Sequence, residues 1–342
     1  MTASKITALA AGAAIAAAAL GGAALAHDPS GKGGPPPAYA KRMGAVMKQL
    51  QGLDETEQAR GVYSLLTQWP PSYAKLRVCF MGGSDEVNGK IAEIASNWVD
   101  DPKLSIKLDF GKPGKPRACT GKGKEVQIRV SYNQPGYWSL LGQGSVVYAK
   151  QDEATVNFED FDKADPAKLD ATPWAQGVII HEFGHALGLM HEHQSPVSDC
   201  ANEFNWDYID QKLSQPPNSW DKDTIKTNMA PYVGDNLKLM TTDFDSHSVM
   251  LYHFPPEYYL KGDKSSCFIP SENVSISDTD RATIEYMYPA DQQQRASNFE
   301  QVQSRFMTIW TKASAAGTKA VGLNVPEVFF SNKGVAAGAT DE

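Results

Sequence analysis

The sequence predicts an α+β fold: a mixed, twisted β-sheet backed by two long helices, followed by a mostly irregular C-terminal part. Three observations predict it. From residue 75 the apolar pattern runs strand, helix, strand, strand, strand, helix, an order that suits a sheet covered by helices. Two segments, beginning near residues 87 and 173, carry apolar residues at helical spacing over several turns. Beyond Pro196, the prolines at 216, 217, 231, 255, 256 and 270 leave room only for short elements until residue 278.

Each element has a local reason. Lys75–Phe80 reads as a short strand closed by Gly82 and Gly83, and the stretch 80–85 that follows is read as a turn. In 87–99, Ile91, Ile94, Ala95 and Trp98 share one helical face. Residues 104–110 alternate apolar and polar, and 111–123 is a Pro/Gly/Lys loop. Residues 125–132 alternate again, with Val126, Ile128 and Val130 on one face, and 137–148 and 154–158 are further strand candidates. For the second long helix, Thr172 is the expected N-cap and Pro173 suits the first helical position. Residues 278–288 read as a closing helix, and a polar helix is expected over 295–312. There is no internal repeat.

The front of the chain is organised differently. Lys5 precedes an Ala/Leu/Ile/Gly run that ends at Ala24-Leu25-Ala26, the composition of a secretory signal cleaved after Ala26. A mature chain would then be exported and carry no membrane segment. Residues 27–72 form a leader, Gly/Pro/Ser-rich to residue 37 and helix-like over 40–66; it reads equally as a removable pro-segment or as an arm packed on the domain. The expected catalytic domain spans 73–290, and 291–342 forms a C-terminal helix and tail. Formal charge is -8 over 342 residues, which gives no electrostatic footprint for nucleic acid or an anionic membrane. Oligomeric state is not set by the sequence.

Cys79, Cys119, Cys200 and Cys267 make an even count in an oxidising compartment, which favours two disulfides. Of the three possible pairings, Cys79 with Cys119 and Cys200 with Cys267 is favoured, because two cysteines precede the His-rich run and two follow it. None of them shows the close Cys-x-x-Cys spacing of a thiolate zinc site.

That run, His181-Glu182-Phe183-Gly184-His185-Ala186-Leu187-Gly188-Leu189-Met190-His191, carries the chemistry. Residues four apart share a helix face, so His181 and His185 can present two imidazoles to one metal ion. Glu182 stands beside the first of them, where it can act on a water. A continuing helix would carry residue 191 away, so the chain must turn at Gly188 to return His191 as a third ligand. Three neutral imidazoles and an open position describe a catalytic rather than a structural zinc site.

The extended motif resembles that of the metzincin metalloproteases, whose second marker is a Met-turn; Ser248-Val249-Met250-Leu251-Tyr252 is similar to it. Glu192 directly after the third histidine and Tyr252 two residues after Met250 resemble the astacin family and its secreted relatives. The resemblance implies a zincin-like metzincin fold with the active-site cleft between the sheet part and the irregular part. It implies one Zn2+ on His181, His185 and His191 with no further cofactor, and Glu182 as general base and then acid. Met250 would be the floor under the metal, and Tyr252 a movable fifth ligand that can turn to the substrate oxyanion. Protein or peptide substrate is implied, lying along an edge strand for which 137–147 is the candidate. Glu192 in that family pairs with the N-terminus freed by maturation. Here the residues after it, His193-Gln194-Ser195-Pro196, depart from the family pattern. His193, His247 and His253 are read as supporting or solvated residues rather than ligands. The alternative to an enzyme is a secreted zinc-stabilised binding module without turnover; Glu182, which contributes nothing to ligation, argues against it.

Overall fold

The computed structural model describes residues 67–120, 125–147, 149–195, 197–216, 218–231 and 244–315. The expected signal segment and the helix expected over 40–66 lie outside the described residues.

Strand β1 (Lys75–Phe80) lies inside the sheet, paired in parallel with β2 (Lys107–Asp109) on one side and β5 (Ile128–Ser131) on the other. β7 (Val156–Phe158) continues in parallel beside β5, and β6 (Tyr137–Ser139) closes the edge antiparallel to β7, giving the order β2-β1-β5-β7-β6. A small ribbon of β3 (Gly111–Lys112) and β4 (Lys115–Pro116) stands apart. The sheet is mixed, as the sequence predicts.

Helix α1 (Asp85–Ser96) is capped by Ser84, whose hydroxyl accepts from the Val87 amide. Two short helices follow, α2 (Gly144–Val147) and α3 (Pro166–Ala171). The central helix α4 (Pro173–Ala186) starts at Thr172 with Pro173 in its first turn; the Thr172 side chain makes no capping bond. Leu76, Val78, Phe80, Ile128, Val130, Val156 and Phe158 of the sheet pack with Ile91, Ile94, Ile179 and Phe183 of α1 and α4 in one buried cluster. The ring of Phe183 lies 5.8 Å from that of Phe110 and 6.2 Å from that of Phe158.

Several strands are shorter than the alternation suggests. Leu104 and Ile106 are buried as predicted, but only Lys107–Asp109 pairs with β1. The strand expected over 137–148 ends at Ser139, and α2 replaces its second half. Gly142 (φ 46°) makes that break: its amide donates to the His185 carbonyl at 2.9 Å, and a Cβ there would fall 1.6 Å from the Thr67 carbonyl oxygen.

The second lobe follows His191 and consists of short helices α5 (Cys200–Glu203), α6 (Trp206–Leu213) and α7 (Lys222–Met229) with irregular chain between. Its core joins Phe204, Ile209, Trp220, Tyr252, Phe254 and Tyr258 around the Cys200–Cys267 disulfide; Cys79 and Cys119 are joined in the sheet lobe. Glu203 staples this lobe, accepting from Ser265, the Ser266 amide and hydroxyl, and Lys261. Burial alone would raise its carboxyl; the bonds from Ser265, Lys261 and Ser266 outweigh burial and hold it below the ordinary range.

Helix α8 (Asp278–Met287) opens with a reciprocal capping box between Ser277 and Asp280. Helix α9 (Gln292–Ala315) follows, longer at both ends than the sequence suggests, and buries Phe299 and Val302. Residues 67–72, grouped on sequence with the leader, run into the sheet lobe, and Trp69 is fully buried. No helix among the described residues is long and apolar enough to cross a membrane.

Candidate metal centre and active site

Helix α4 delivers His181 and His185 on one face, and the chain then leaves the helix through a Schellman turn. The Leu189 amide bonds the Gly184 carbonyl at 3.0 Å and the Gly188 amide bonds the His185 carbonyl at 2.8 Å. Gly188 takes φ 102°, a conformation in which a side chain is strained, and a Cβ there would also stand 3.1 Å from the Thr67 carbonyl oxygen. Beyond Leu189 and Met190, His191 returns in extended backbone.

The three imidazoles converge. His185 Nε2 lies 2.9 Å from His181 Nε2 and 3.1 Å from His191 Nε2, and the three residues are buried. Each ring is held from its other nitrogen: His181 Nδ1 donates to the Val249 carbonyl at 2.7 Å and His185 Nδ1 to the Leu189 carbonyl at 2.8 Å, while His191 Nδ1 faces Gln194 Oε1 at 3.3 Å. A neutral imidazole that spends its proton on Nδ1 has only a lone pair on Nε2. Three lone pairs therefore point at one another, which is unfavourable unless a cation lies among them. Protonation does not relieve the crowding: burial depresses His181 to about 4 and holds His191 well below the usual histidine range, with the neighbouring histidines adding to the effect on His191. Tetrahedral zinc with bonds of 2.0–2.1 Å separates its ligand nitrogens by about 3.3 Å. The donor set fits zinc.

Glu182 is buried, and neither carboxylate oxygen has a hydrogen-bond partner among the described residues. Desolvation pushes its carboxyl well above the ordinary value. An adjacent cation would favour its ionised form again.

The turn at residues 248–252 packs against α4 at Gly184. A Cβ on Gly184 would meet Met250 Sδ at 2.6 Å and Trp98 Cζ2 at 3.0 Å, so the thioether occupies the space that this glycine leaves on α4. The Tyr252 ring stands 4.4 Å from that of His191 and 5.4 Å from that of His181. Glu192 is tied to the same turn: its amide bonds the Met250 carbonyl, and its carboxylate accepts from the Asp245 amide at 3.0 Å. Burial, with the charges of Asp280 and Asp245, raises Glu192 to about 8 against the pull of that amide. His193 is buried beside His191 and donates from Nε2 to the Asn228 carbonyl at 3.1 Å; burial lowers it to about 4. His247 is exposed beside Asp245.

Asp280 is a site residue that sequence reasoning missed. One of its oxygens accepts from Ser248 Oγ at 2.6 Å and the other from the Val249 amide at 3.0 Å. Val249 passes the constraint on, since its carbonyl orients His181. The readable signal was the Ser277-x-x-Asp280 capping pattern, which marks the helix start but not its second task.

The sequence matches the Astacin peptidase family over residues 160–288. It is 31% identical over 101 residues to zinc metalloproteinase nas-13 of Caenorhabditis elegans. The structure aligns with that titled "Structure of myroilysin" at a TM-score of 0.52 and 27% identity, covering 65% of this chain and 96% of the other. Over residues 160–288 the chain is similar to the astacin family. High choriolytic enzyme 1, a hatching enzyme zinc-protease from Oryzias latipes (medaka fish), aligns at 16% identity and a TM-score of 0.36, over 64% of this chain and 90% of that one. The nas-13 alignment takes in 30% of this chain and 19% of that relative's length. Both family markers, the histidine run and the Met-turn, fall inside the matched segment, and Thr67, Trp69 and the sheet up to β7 fall outside it.

Proposed function

We propose that this chain is an exported zinc-dependent endopeptidase of the astacin-like metzincins. The observation that carries the reading is the convergence of three imidazole Nε2 atoms, with Glu182, the residue after His181, buried and its carboxylate oxygens without a described partner. A carboxylate kept dry and unpaired costs stability, and proton transfer is the task that justifies the cost.

His181, His185 and His191 would hold the zinc ion. Bound zinc supplies Lewis acidity, lowering the pKa of water from 15.7 toward about 7. Glu182 takes the proton of the attacking water and passes it to the leaving amine nitrogen. Tyr252, whose ring lies beside that of His191, is assigned to donate its hydroxyl to the substrate oxyanion. Peptide substrate would add as a strand to β6, the edge of the sheet, whose carboxyl end leads through Gly142 to the end of α4. Export is supported by the N-terminal 26 residues and by the two disulfides.

Casein digestion tests the reading. Activity is expected to stop with 1,10-phenanthroline and return with zinc. Glu182→Gln is expected to lose about 10^2- to 10^4-fold in turnover while retaining bound zinc by metal analysis. Full activity in that variant would remove Glu182 from the mechanism.

A further inference from the structure

The end of α4 exposes a series of backbone carbonyls just where the chain turns back to bring in His191, and distant parts of the chain bond three of them. Trp69 Nε1 donates to the Ala186 carbonyl at 2.9 Å, Tyr288 Oη to the Leu187 carbonyl at 2.6 Å, and Thr67 Oγ1 to the Gly188 carbonyl at 3.1 Å. Two of the donors are also bound to each other, because the Trp69 amide donates to Tyr288 Oη at 3.1 Å. Arg295 backs them from α9, donating to the Pro70 and Tyr73 carbonyls and lying 5.2 Å from the centre of the Tyr288 ring. Thr67, Trp69 and Tyr288 are all buried, and a Cβ on Gly142 or Gly188 would meet Thr67 backbone, so this packing leaves no slack.

A Schellman turn by itself closes a helix; it does not require side chains from residues 67 and 288. We infer that Thr67, Trp69 and Tyr288 form a collar of positioning residues that fixes the turn 186–190 and thereby the place at which His191 meets His181 and His185. The inference rests on the zinc reading proposed above. It also moves the start of the catalytic unit from residue 73, as read from the sequence, to Thr67: a leader removed in maturation must be cut before Thr67, because a later cut would take the collar with it. The collar bonds run to backbone carbonyls, not to the imidazoles. Their effect is on metal affinity through the geometry of the turn, the way outer partners of metal ligands commonly act.

The test compares Tyr288→Phe, Thr67→Val and Thr67→Ser in the full chain. Zn2+ affinity is read by competition with a chromophoric chelator, and site symmetry by the visible spectrum of the Co2+ form. Tyr288→Phe and Thr67→Val are expected to bind zinc about 10- to 100-fold more weakly, with an altered Co2+ spectrum and an unchanged far-ultraviolet circular dichroism spectrum. Thr67→Ser, which restores the hydroxyl, is expected to bind within about threefold of the unmodified chain. Unmodified affinity in both Tyr288→Phe and Thr67→Val would overturn the collar and leave the zinc reading intact. Failure of the unmodified chain to bind zinc would sink both. If Tyr288→Phe does not fold, the Thr67 pair decides alone: weaker binding in Val than in Ser supports the collar, and equal binding overturns it. N-terminal sequencing of the shortest active form is expected to find a start at or before Thr67, and an active form starting after Trp69 would also overturn it.

Discussion

The sheet lobe and the lobe that follows His191 are held by different means. In the first, large side chains at regular spacing meet across a sheet and two helices, and hydrophobic burial does most of the work. In the second, the helices are short, and an aromatic cluster is fastened by a disulfide and by the Glu203 staple. The candidate metal centre draws on both, with His181 and His185 on the well-packed helix, Met250 packed in the same core, and Tyr252 in the cluster of the fastened lobe. Where regular burial is available, periodicity suffices to build a scaffold. Where the chain is irregular, individual polar and covalent links must replace it.

The contrast can be broken first from the sheet side. Phe183 is fully buried between Phe110 and Phe158, so Phe183→Ala is expected to cost about 3–5 kcal/mol in urea unfolding; a loss below about 1 kcal/mol would show that burial is not what holds this lobe. Next comes the disulfide of the second lobe. Replacing Cys200 and Cys267 together by Ser opens a link across a sequence separation of 67, and a loss of about 2–5 kcal/mol is expected. Hydrogen exchange is expected to quicken in α5 and α6 while amides of β1 and β5 stay protected. Equal quickening in the sheet would mean that the lobes are one cooperative unit and the contrast is false.

The smallest expected effect sharpens the comparison. Glu203→Gln removes a charge held by several donors and is expected to cost about 1–2 kcal/mol at pH 7. The folded carboxyl titrates below its unfolded value, so the folded state binds fewer protons in that window. Its stabilisation is therefore complete above the unfolded value and is lost as pH falls through the folded one. Thermal midpoints of the unmodified chain and Glu203→Gln should converge as pH drops from about 6 to about 3. A constant gap across that range would contradict the assignment.

The same contrast explains what the sequence revealed. Lys75–Phe80 and Pro173–Ala186 were readable because burial imposes a period on each. The alternation over 104–110 reported burial correctly but pairing incorrectly, since Leu104 and Ile106 are covered without joining the ladder. The strand expected over 137–148 failed at Gly142, where contact with Thr67 decides the backbone, and residues so far apart leave no local pattern. The clustering of the three histidines was legible because metal chemistry requires fixed residue types at fixed spacing. Asp280, Thr67, Trp69 and Tyr288 were not, because they act on backbone groups of other segments, and a backbone amide or carbonyl carries no residue signature.

Gly184 gives the two family markers a shared cause. The missing Cβ of this glycine, inside the histidine run, is the socket for the sulfur of Met250, 66 positions further on (250 minus 184). Motif and turn are thus the two halves of one fitted joint. An alanine at 184 would require the Met250 side chain to shift and the Trp98 ring to give, so substitutions at 184 and 250 are expected to be non-additive.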